Sequence, residues 1–314
     1  MASIDGTVVI LGTGGTIAGT ATDVADNVGY SAAQLGVQAL VAAVPPLAGL
    51  PIECEQVAQV DSKDMSHALW LKLAHRVSHH LSRPEVAGIV ITHGTDTLEE
   101  SAYFLHRLLA PAKPVVLTAA MRPATALLAD GPQNLLDAVT VAREPGAHGV
   151  LAVLAGRVFA GCEVRKVQSY RLDAFDAGEA GSIARVEEGK VRRFRAWPQG
   201  QALGLAVLRS DAQRWPWVVL LTSHAGADGA MVQALVEAGV QGIVVAGTGN
   251  GSVHEALETA LRHAAGQGIR VVRVSRCAHG GVVGRGASKL PALPELGAPQ
   301  ARIELMLELL AAVP

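Results

Sequence analysis

Four short, uninterrupted apolar runs are spaced along the first half of this 314-residue chain: Val8-Val-Ile-Leu11, Gly88-Ile-Val-Ile-Thr92, Pro114-Val-Val-Leu-Thr118 and Gly149-Val-Leu-Ala-Val-Leu154. A strand with one wet face alternates apolar and polar residues, whereas one that is apolar throughout has both faces covered. Helical patterns fill the gaps. Ser66 to Leu81 repeats apolar residues at helical spacing, and Leu98 to Leu109 opens with Glu99 and Glu100, acids that complement the dipole of a first turn. Asp130-Gly-Pro-Gln-Asn-Leu-Leu-Asp-Ala-Val sets a capping carboxylate and an early proline ahead of a third helix. Strands alternating with helices require right-handed crossovers and a mostly parallel sheet covered by helices.

From Arg185 to Gln213 this pattern dissolves into charged and Gly/Pro-containing sequence, including Glu187-Glu-Gly-Lys-Val-Arg-Arg-Phe-Arg, which reads as a closing hairpin followed by a linker. The alternation then resumes with strands at 217–222, 242–246 and 269–274 and helices at 229–238 and 253–265. A Leu- and Ala-rich stretch from Ala301 to Val313 is expected to pack back on that part. The expected class is therefore α/β: a larger N-terminal domain over 1–190, a linker over 191–214, and a smaller α/β domain with its own parallel sheet over 215–314.

Composition narrows the function. The formal net charge is −2 and no Lys/Arg block occurs, so the electrostatic footprint of a nucleic-acid binder is missing. The start Met1-Ala-Ser-Ile-Asp-Gly6 lacks the basic and apolar regions of a signal peptide, and no apolar run reaches membrane-spanning length. The expectation is a soluble, cytoplasmic protein without a membrane partner. Cys54, Cys162 and Cys277 are too few and too scattered for a disulfide framework or a Cys-x-x-Cys metal site, and are expected as buried structural thiols. His75, His79 and His80 lie near i, i+4 spacing but lack a third ligand in a recognised pattern, so a solvated helix face is favoured over a metal site.

The chemistry concentrates where strands end. Thr16 lies in Leu11-Gly-Thr-Gly-Gly-Thr-Ile-Ala-Gly19, and Thr95 in Ile91-Thr-His-Gly-Thr-Asp-Thr-Leu-Glu-Glu100. In each, glycines let backbone amides approach a ligand beside a hydroxyl, the arrangement a nucleophile needs next to an oxyanion site. The first loop is a poor dinucleotide fingerprint because Ile17 takes the third glycine position, and no Gly-Lys-Ser/Thr sequence follows. Gly247-Thr-Gly-Asn-Gly251 is a further glycine loop at a strand end. In an open parallel sheet such loops gather outside the carboxyl ends of the strands. Asp96 is open to two readings: a helix cap, or an ionised group that orients a base or pairs with a substrate ammonium. No Gly-x-Ser-x-Gly elbow occurs, which disfavours a serine hydrolase.

Thr13-Gly-Gly-Thr-Ile-Ala-Gly19 and His93-Gly-Thr-Asp-Thr-Leu-Glu-Glu100 resemble the two signature motifs of bacterial L-asparaginases. The stretches 56–65, 118–123, 129–135 and 247–251 keep that family's order and spacing over nearly the whole chain. The resemblance implies hydrolysis of L-asparagine to L-aspartate and ammonia without metal or organic cofactor. It also implies a homotetramer, a dimer of dimers, with active sites shared between subunits. Carried over by residue, Thr16 aligns with the nucleophile, Tyr30 with the lid tyrosine that activates it, and Thr95, Asp96 and Lys166 with a second polar triad. Ser62 and Asp96 would hold the substrate's carboxylate and ammonium, with Lys63 beside them, and Asn250 would be supplied by a neighbouring subunit. The lid would span about 19–30.

Two departures bear on selectivity. Lys63 stands where the family usually has glutamine or glutamate, and is expected to turn away or pair with an acid. The segment Cys277-Ala-His-Gly-Gly-Val-Val-Gly-Arg-Gly-Ala287 lacks the glutamate that usually partners the lid tyrosine. The chemistry could therefore extend to L-glutamine or D-asparagine, and a noncatalytic amino-acid-binding module is the reading from another class.

Overall fold

The computed structural model describes residues 6–209, 211–284, 286 and 288–312. Most of the chain start read above for targeting, position 313 of the closing stretch, and positions 285 and 287 of the acid-poor segment lie outside the described residues. The chain divides into two compact units, Met1–Leu205 and Ala206–Pro314.

The first unit is built on an eight-stranded sheet. Its elements, in chain order, are β1 (Thr7–Gly14), α1 (Val37–Ala42), β2 (Ile52–Val60), α2 (His67–Leu81), β3 (Val86–Thr92), α3 (Leu98–Leu109), β4 (Pro114–Thr118), α4 (Gly131–Ala142), β5 (Gly149–Leu154) and β6 (Arg157–Ala160). A two-residue pair, β7 (Arg165–Lys166) and β8 (Phe175–Asp176), precedes the hairpin of β9 (Ala184–Glu187) and β10 (Lys190–Arg193). The sheet order is β10-β9-β6-β5-β4-β3-β1-β2. Strands β2-β1-β3-β4-β5 run parallel, and β6, β9 and β10 add antiparallel strands on one side. After β2 the chain returns to the other side of β1, so β1 and β3 flank the point where strand order reverses. That is where open α/β sheets form ligand crevices.

Each expected apolar run is a strand, and the pleat divides its residues between two helix layers. Val8, Ile10, Val90 and Val116 join Val37 and Leu40 of α1 and Leu135 and Val139 of α4 in one core. Val9, Leu11, Ile89 and Ile91 are fully buried on the side taken by α2 and α3. Burying each such side chain is worth about 1.5–3 kcal/mol, so the central strands carry a large share of the hydrophobic stabilisation of this unit.

The second unit is a three-stranded parallel sheet, β11 (Val218–Thr222), β12 (Gly242–Gly247) and β13 (Arg270–Ser275), with α5 (Ala230–Glu237), α6 (Glu255–Gly266) and α7 (Ala298–Ala311). Ile243 and Val245 pack with Val232 of α5 and with Leu257 and Leu261 of α6. Gly242 faces Leu305 of α7 on the opposite side. Among the described residues no helix is long and apolar enough to cross a membrane.

Several local expectations are corrected. Strand β2 has no continuous apolar run, because it is an edge strand that carries Glu53 and Glu55. His80 does not lie on a solvated face: it is buried, and its Nε2 meets Glu55 Oε2 at 2.8 Å. Arg76, assisted by His80, holds the Glu55 carboxyl at about 2 despite partial burial. Cys277 is exposed, and Cys54 and Cys162 are only partly buried. Asp130 occupies the cap position of α4 but makes no cap bond. Its carboxylate instead accepts the Met121 and Arg122 N–H groups at 2.9 and 3.0 Å, which shapes the loop after β4.

Candidate active site

Both threonine motifs are strand exits at the reversal point. Gly12 of β1 pairs in register with Thr92 of β3, so the chain leaves the two strands side by side. Thr13 Oγ1 donates to Thr92 O at 2.9 Å across the same exit. Beyond it the backbones touch: a Cβ on Gly15 would lie 2.3 Å from Gly94 Cα. Gly15 has φ 82° and ψ −173°, a conformation open in practice only to glycine. Its N–H donates to Val60 O at 2.9 Å, so this amide is not an oxyanion donor.

Thr16 follows that contact, buried at the start of a single 3₁₀ turn, Thr16–Ala18. Its Oγ1 lies 2.6 Å from Tyr30 OH. A phenol at that distance can exchange a proton with the hydroxyl, the relation a general base needs. Tyr30 ends an excursion closed by an antiparallel bridge, with Thr20 N–H donating to Ser31 O and Ser31 N–H to Thr20 O, both at 2.9 Å. The excursion rests on the loop after β4. Ala21 N–H donates to Thr125 Oγ1 at 2.8 Å, Thr125 Oγ1 donates to Ala21 O at 3.2 Å, and Leu127 N–H donates to Val24 O at 3.1 Å.

On the β3 side, Lys166 Nζ donates to Thr95 Oγ1 at 2.9 Å and to Asp96 Oδ1 at 2.6 Å. Thr95 is buried, whereas the Asp96 side chain is half exposed and turned to solvent. Asp96 is not the helix cap, because α3 begins after Thr97. Ser62 lies against Gly94 and accepts the Asp96 N–H at 3.1 Å on its Oγ, while its carbonyl accepts Thr97 Oγ1–H at 2.8 Å. Lys63 is exposed and forms an ion pair with Asp64, which raises its pKa, with smaller contributions from Asp61 and Asp96. Thr16, Tyr30, Ser62, Lys63, Thr95, Asp96 and Lys166 all belong to the first unit. Asn250 belongs to the second, where its amide is doubly engaged by Val283: Nδ2 donates to Val283 O at 2.8 Å and Oδ1 accepts Val283 N–H at 2.6 Å.

Two supporting features stand behind these residues: His93, whose place inside the second threonine motif suggests a packing or hydrogen-bonding role and not that of a base, and Glu99, whose role no sequence pattern reveals. His93 is fully buried, with Nδ1 2.8 Å from Gly94 O, which requires the proton on Nδ1. Nε2 then accepts from Ser101 Oγ at 2.9 Å, and Ser101 in turn accepts from Trp70 Nε1 at 2.8 Å. Burial pushes His93 down to about 4 against the opposing pull of the Gly94 carbonyl, so the ring is neutral near pH 7 and serves as a brace. The second feature is Glu99, whose Oε2 accepts the Lys166 backbone N–H at 2.7 Å. Among the described residues no cluster of three or more His, Cys, Asp or Glu could hold a metal ion.

The arrangement, a hydroxyl paired with a phenol beside a lysine–threonine–aspartate triad, suits nucleophilic attack on an acyl carbon. Family models agree over most of the sequence: "Asparaginase, N-terminal" matches residues 7–199 and "Glutaminase/Asparaginase C-terminal domain" matches 217–312. A glutaminase-asparaginase of Pseudomonas fluorescens biotype A is 38% identical over 285 residues, 90% of this chain and 78% of the relative. A Haemophilus influenzae protein named probable periplasmic L-asparaginase is 38% identical over 86% of this chain and 77% of its own length. The crystal structure of a probable cytoplasmic L-asparaginase from Campylobacter jejuni superposes with a TM-score of 0.90 at 36% identity, covering 97% of this chain and 95% of that one. The strand-exit threonines thus sit in a sequence and a fold matched over most of their length, and the chain belongs to the asparaginase family.

Proposed function

We propose that the chain hydrolyses L-asparagine to L-aspartate and ammonia through a covalent threonine ester. Thr16 Oγ attacks the side-chain amide carbon as its proton passes to Tyr30 Oη and the phenol's own proton goes to the amide nitrogen; the C–N bond then breaks and ammonia leaves. Water then cleaves the ester, giving aspartate and restoring the Thr16 hydroxyl. Lys166, Thr95 and Asp96 form the charged wall of the site. Ser62 and Asp96 receive the substrate's α-carboxylate and α-ammonium, and Lys63, tied to Asp64, stands aside. The observation that carries this reading is the 2.6 Å pairing of Thr16 Oγ1 with Tyr30 OH, one residue from the backbone contact with the Thr95 loop.

The assembly is a homotetramer in which Asn250 from one subunit completes the site of another, which requires its bonds to Val283 to rearrange or to shape the loop that makes the contact. The protein acts in the cytoplasm, as the name of the Campylobacter relative suggests for that protein. Glutamine is a minor substrate. No organic cofactor or metal takes part.

Ammonia release with L-asparagine, L-glutamine and D-asparagine tests the reading, together with Thr16→Ala and Thr95→Ala variants shown to be folded. L-Asparagine is expected to have the highest kcat/KM, with near-complete loss of turnover in both variants. Wild-type turnover in Thr16→Ala, or stabilisation by aspartate without turnover in the parent protein, overturns it.

A further inference from the structure

Lys166 is held by little regular structure. It is the second residue of the two-residue strand β7, which pairs only with the equally short β8. Its Nζ nonetheless has to meet two acceptors, Thr95 Oγ1 at 2.9 Å and Asp96 Oδ1 at 2.6 Å. A long flexible side chain reaches such a geometry reproducibly only if its backbone is fixed. The fixing contact comes from the first turn of α3, where Glu99 Oε2 accepts the Lys166 N–H at 2.7 Å. This bond closes a ring: α3 holds the Lys166 backbone, and Lys166 Nζ returns to Thr95 and Asp96, just before α3 begins. In sequence Glu99 reads as an ordinary acid in a helical first turn, but the fold turns its carboxylate onto β7.

We propose that Glu99 is the positioning residue for Lys166, fixing the lysine backbone through a charge-assisted hydrogen bond so that Nζ reaches Thr95 and Asp96. This rests on the reading that Lys166 serves the reaction. The groups that bear on the carboxylate are Glu100 on its own helix and Arg165 and Lys166 on β7. Burial pushes Glu99 up to about 7, against the lowering effect of the Lys166 N–H; Glu100 raises it further, and Arg165 and Lys166 lower it. A carboxylate accepts an N–H more strongly than a carboxylic acid does, so the anchor tightens as pH rises through about 7.

The test compares Glu99→Ala, Glu99→Gln and Lys166→Met by steady-state ammonia release from L-asparagine between pH 5.5 and 8.5. Glu99→Ala loses the acceptor, and kcat is expected to fall roughly 10- to 100-fold with KM nearly unchanged, the cost of misplacing a reacting group by about an ångström. Glu99→Gln keeps an acceptor oxygen without the charge. Its kcat is expected to stay within roughly threefold of the wild-type plateau and to lack the rise through pH 7 expected of the parent protein. If Glu99→Ala does not fold, Glu99→Gln decides: an unchanged rise through pH 7, or a loss of kcat as deep as in Lys166→Met, overturns the proposal. A fully active Lys166→Met protein instead removes the reading of Lys166 itself. An impaired Lys166→Met protein beside a fully active Glu99→Ala protein removes the positioning role alone.

Discussion

Gly15→Ala tests whether the two strand exits are held in register by backbone contact alone. A Cβ at Gly15 would lie 2.3 Å from Gly94 Cα and 2.4 Å from Gly94 N, and since both are main-chain atoms no rotamer change relieves the overlap. An alanine also has to adopt φ 82° and ψ −173°. The backbone strain costs about 1–3 kcal/mol, and the overlap about another 1–3, so the variant should lose about 2–6 kcal/mol. Restoring an ordinary 3.4 Å contact from 2.3 Å needs the loops to part by about 1 Å, the difference of the two. A shift of that size between reacting groups lowers kcat/KM by about 100-fold. The control is Gly49→Ala, because Gly49 has φ +82° but nothing within 4 Å of its Cβ position. That variant should lose only about 1–2 kcal/mol and keep full activity. Thermal unfolding and ammonia-release kinetics on both proteins give the comparison. If Gly15→Ala unfolds with Gly49→Ala and retains its kcat/KM, the contact between the loops does not set the site.

Tyr30→Phe removes the hydroxyl 2.6 Å from Thr16 Oγ1 and is expected to lower kcat by about 10²–10⁴-fold, with KM little changed in steady-state assays; a loss under threefold contradicts a proton-taking role. His93 is held near 4 in the folded protein, below the 6.5 of a free histidine, so the unfolded chain takes up a proton first as pH falls. Stability present above pH 6.5 is therefore lost progressively down to pH 4, by about 3 kcal/mol from this group. Denaturation curves of His93→Gln should lose correspondingly less over that interval, and equal slopes for the two proteins would exclude a buried neutral ring.

The central strands are legible in the sequence because burial on both faces removes the alternation that would otherwise blur strand and loop. Strand β2 is not, since an edge position lets Glu53 and Glu55 pair with Arg83 and Arg76. Losing β2 also loses His80, whose burial depends on a carboxylate from that strand, 25 positions earlier in the chain. The site divides the same way. Thr16 and Thr95 announce themselves through flanking glycines, but the reasons those glycines are needed are distant in sequence: a Cβ on Gly15 would meet Gly94, and one on Gly94 would meet Ser62. The role of Glu99 depends on where β7 falls, and a two-residue strand leaves no periodic signal.

The strand order explains why two similar motifs can do unlike work. Because the chain passes from β1 to β2 and then returns to the far side of β1, the exits of β1 and β3 face one crevice while their downstream segments lead to different elements. From β1 the chain enters an excursion, tied to the loop after β4 by bonds to Ala21 and Val24, and it is this excursion that brings the Tyr30 phenol to Thr16. From β3 it enters α3 directly, and so Thr95 and Asp96 are fixed by a helix that also holds Lys166 through Glu99. The partner on the excursion is uncharged, and the side carried by α3 holds the ion pair. Breaking a hydroxyl–phenol contact costs on the order of 1 kcal/mol, whereas parting Lys166 from Thr95 and Asp96 breaks two charge-assisted bonds at once. A lid over 19–30, as the family resemblance implies, would on opening break the uncharged contact and leave the charges set on β3 undisturbed.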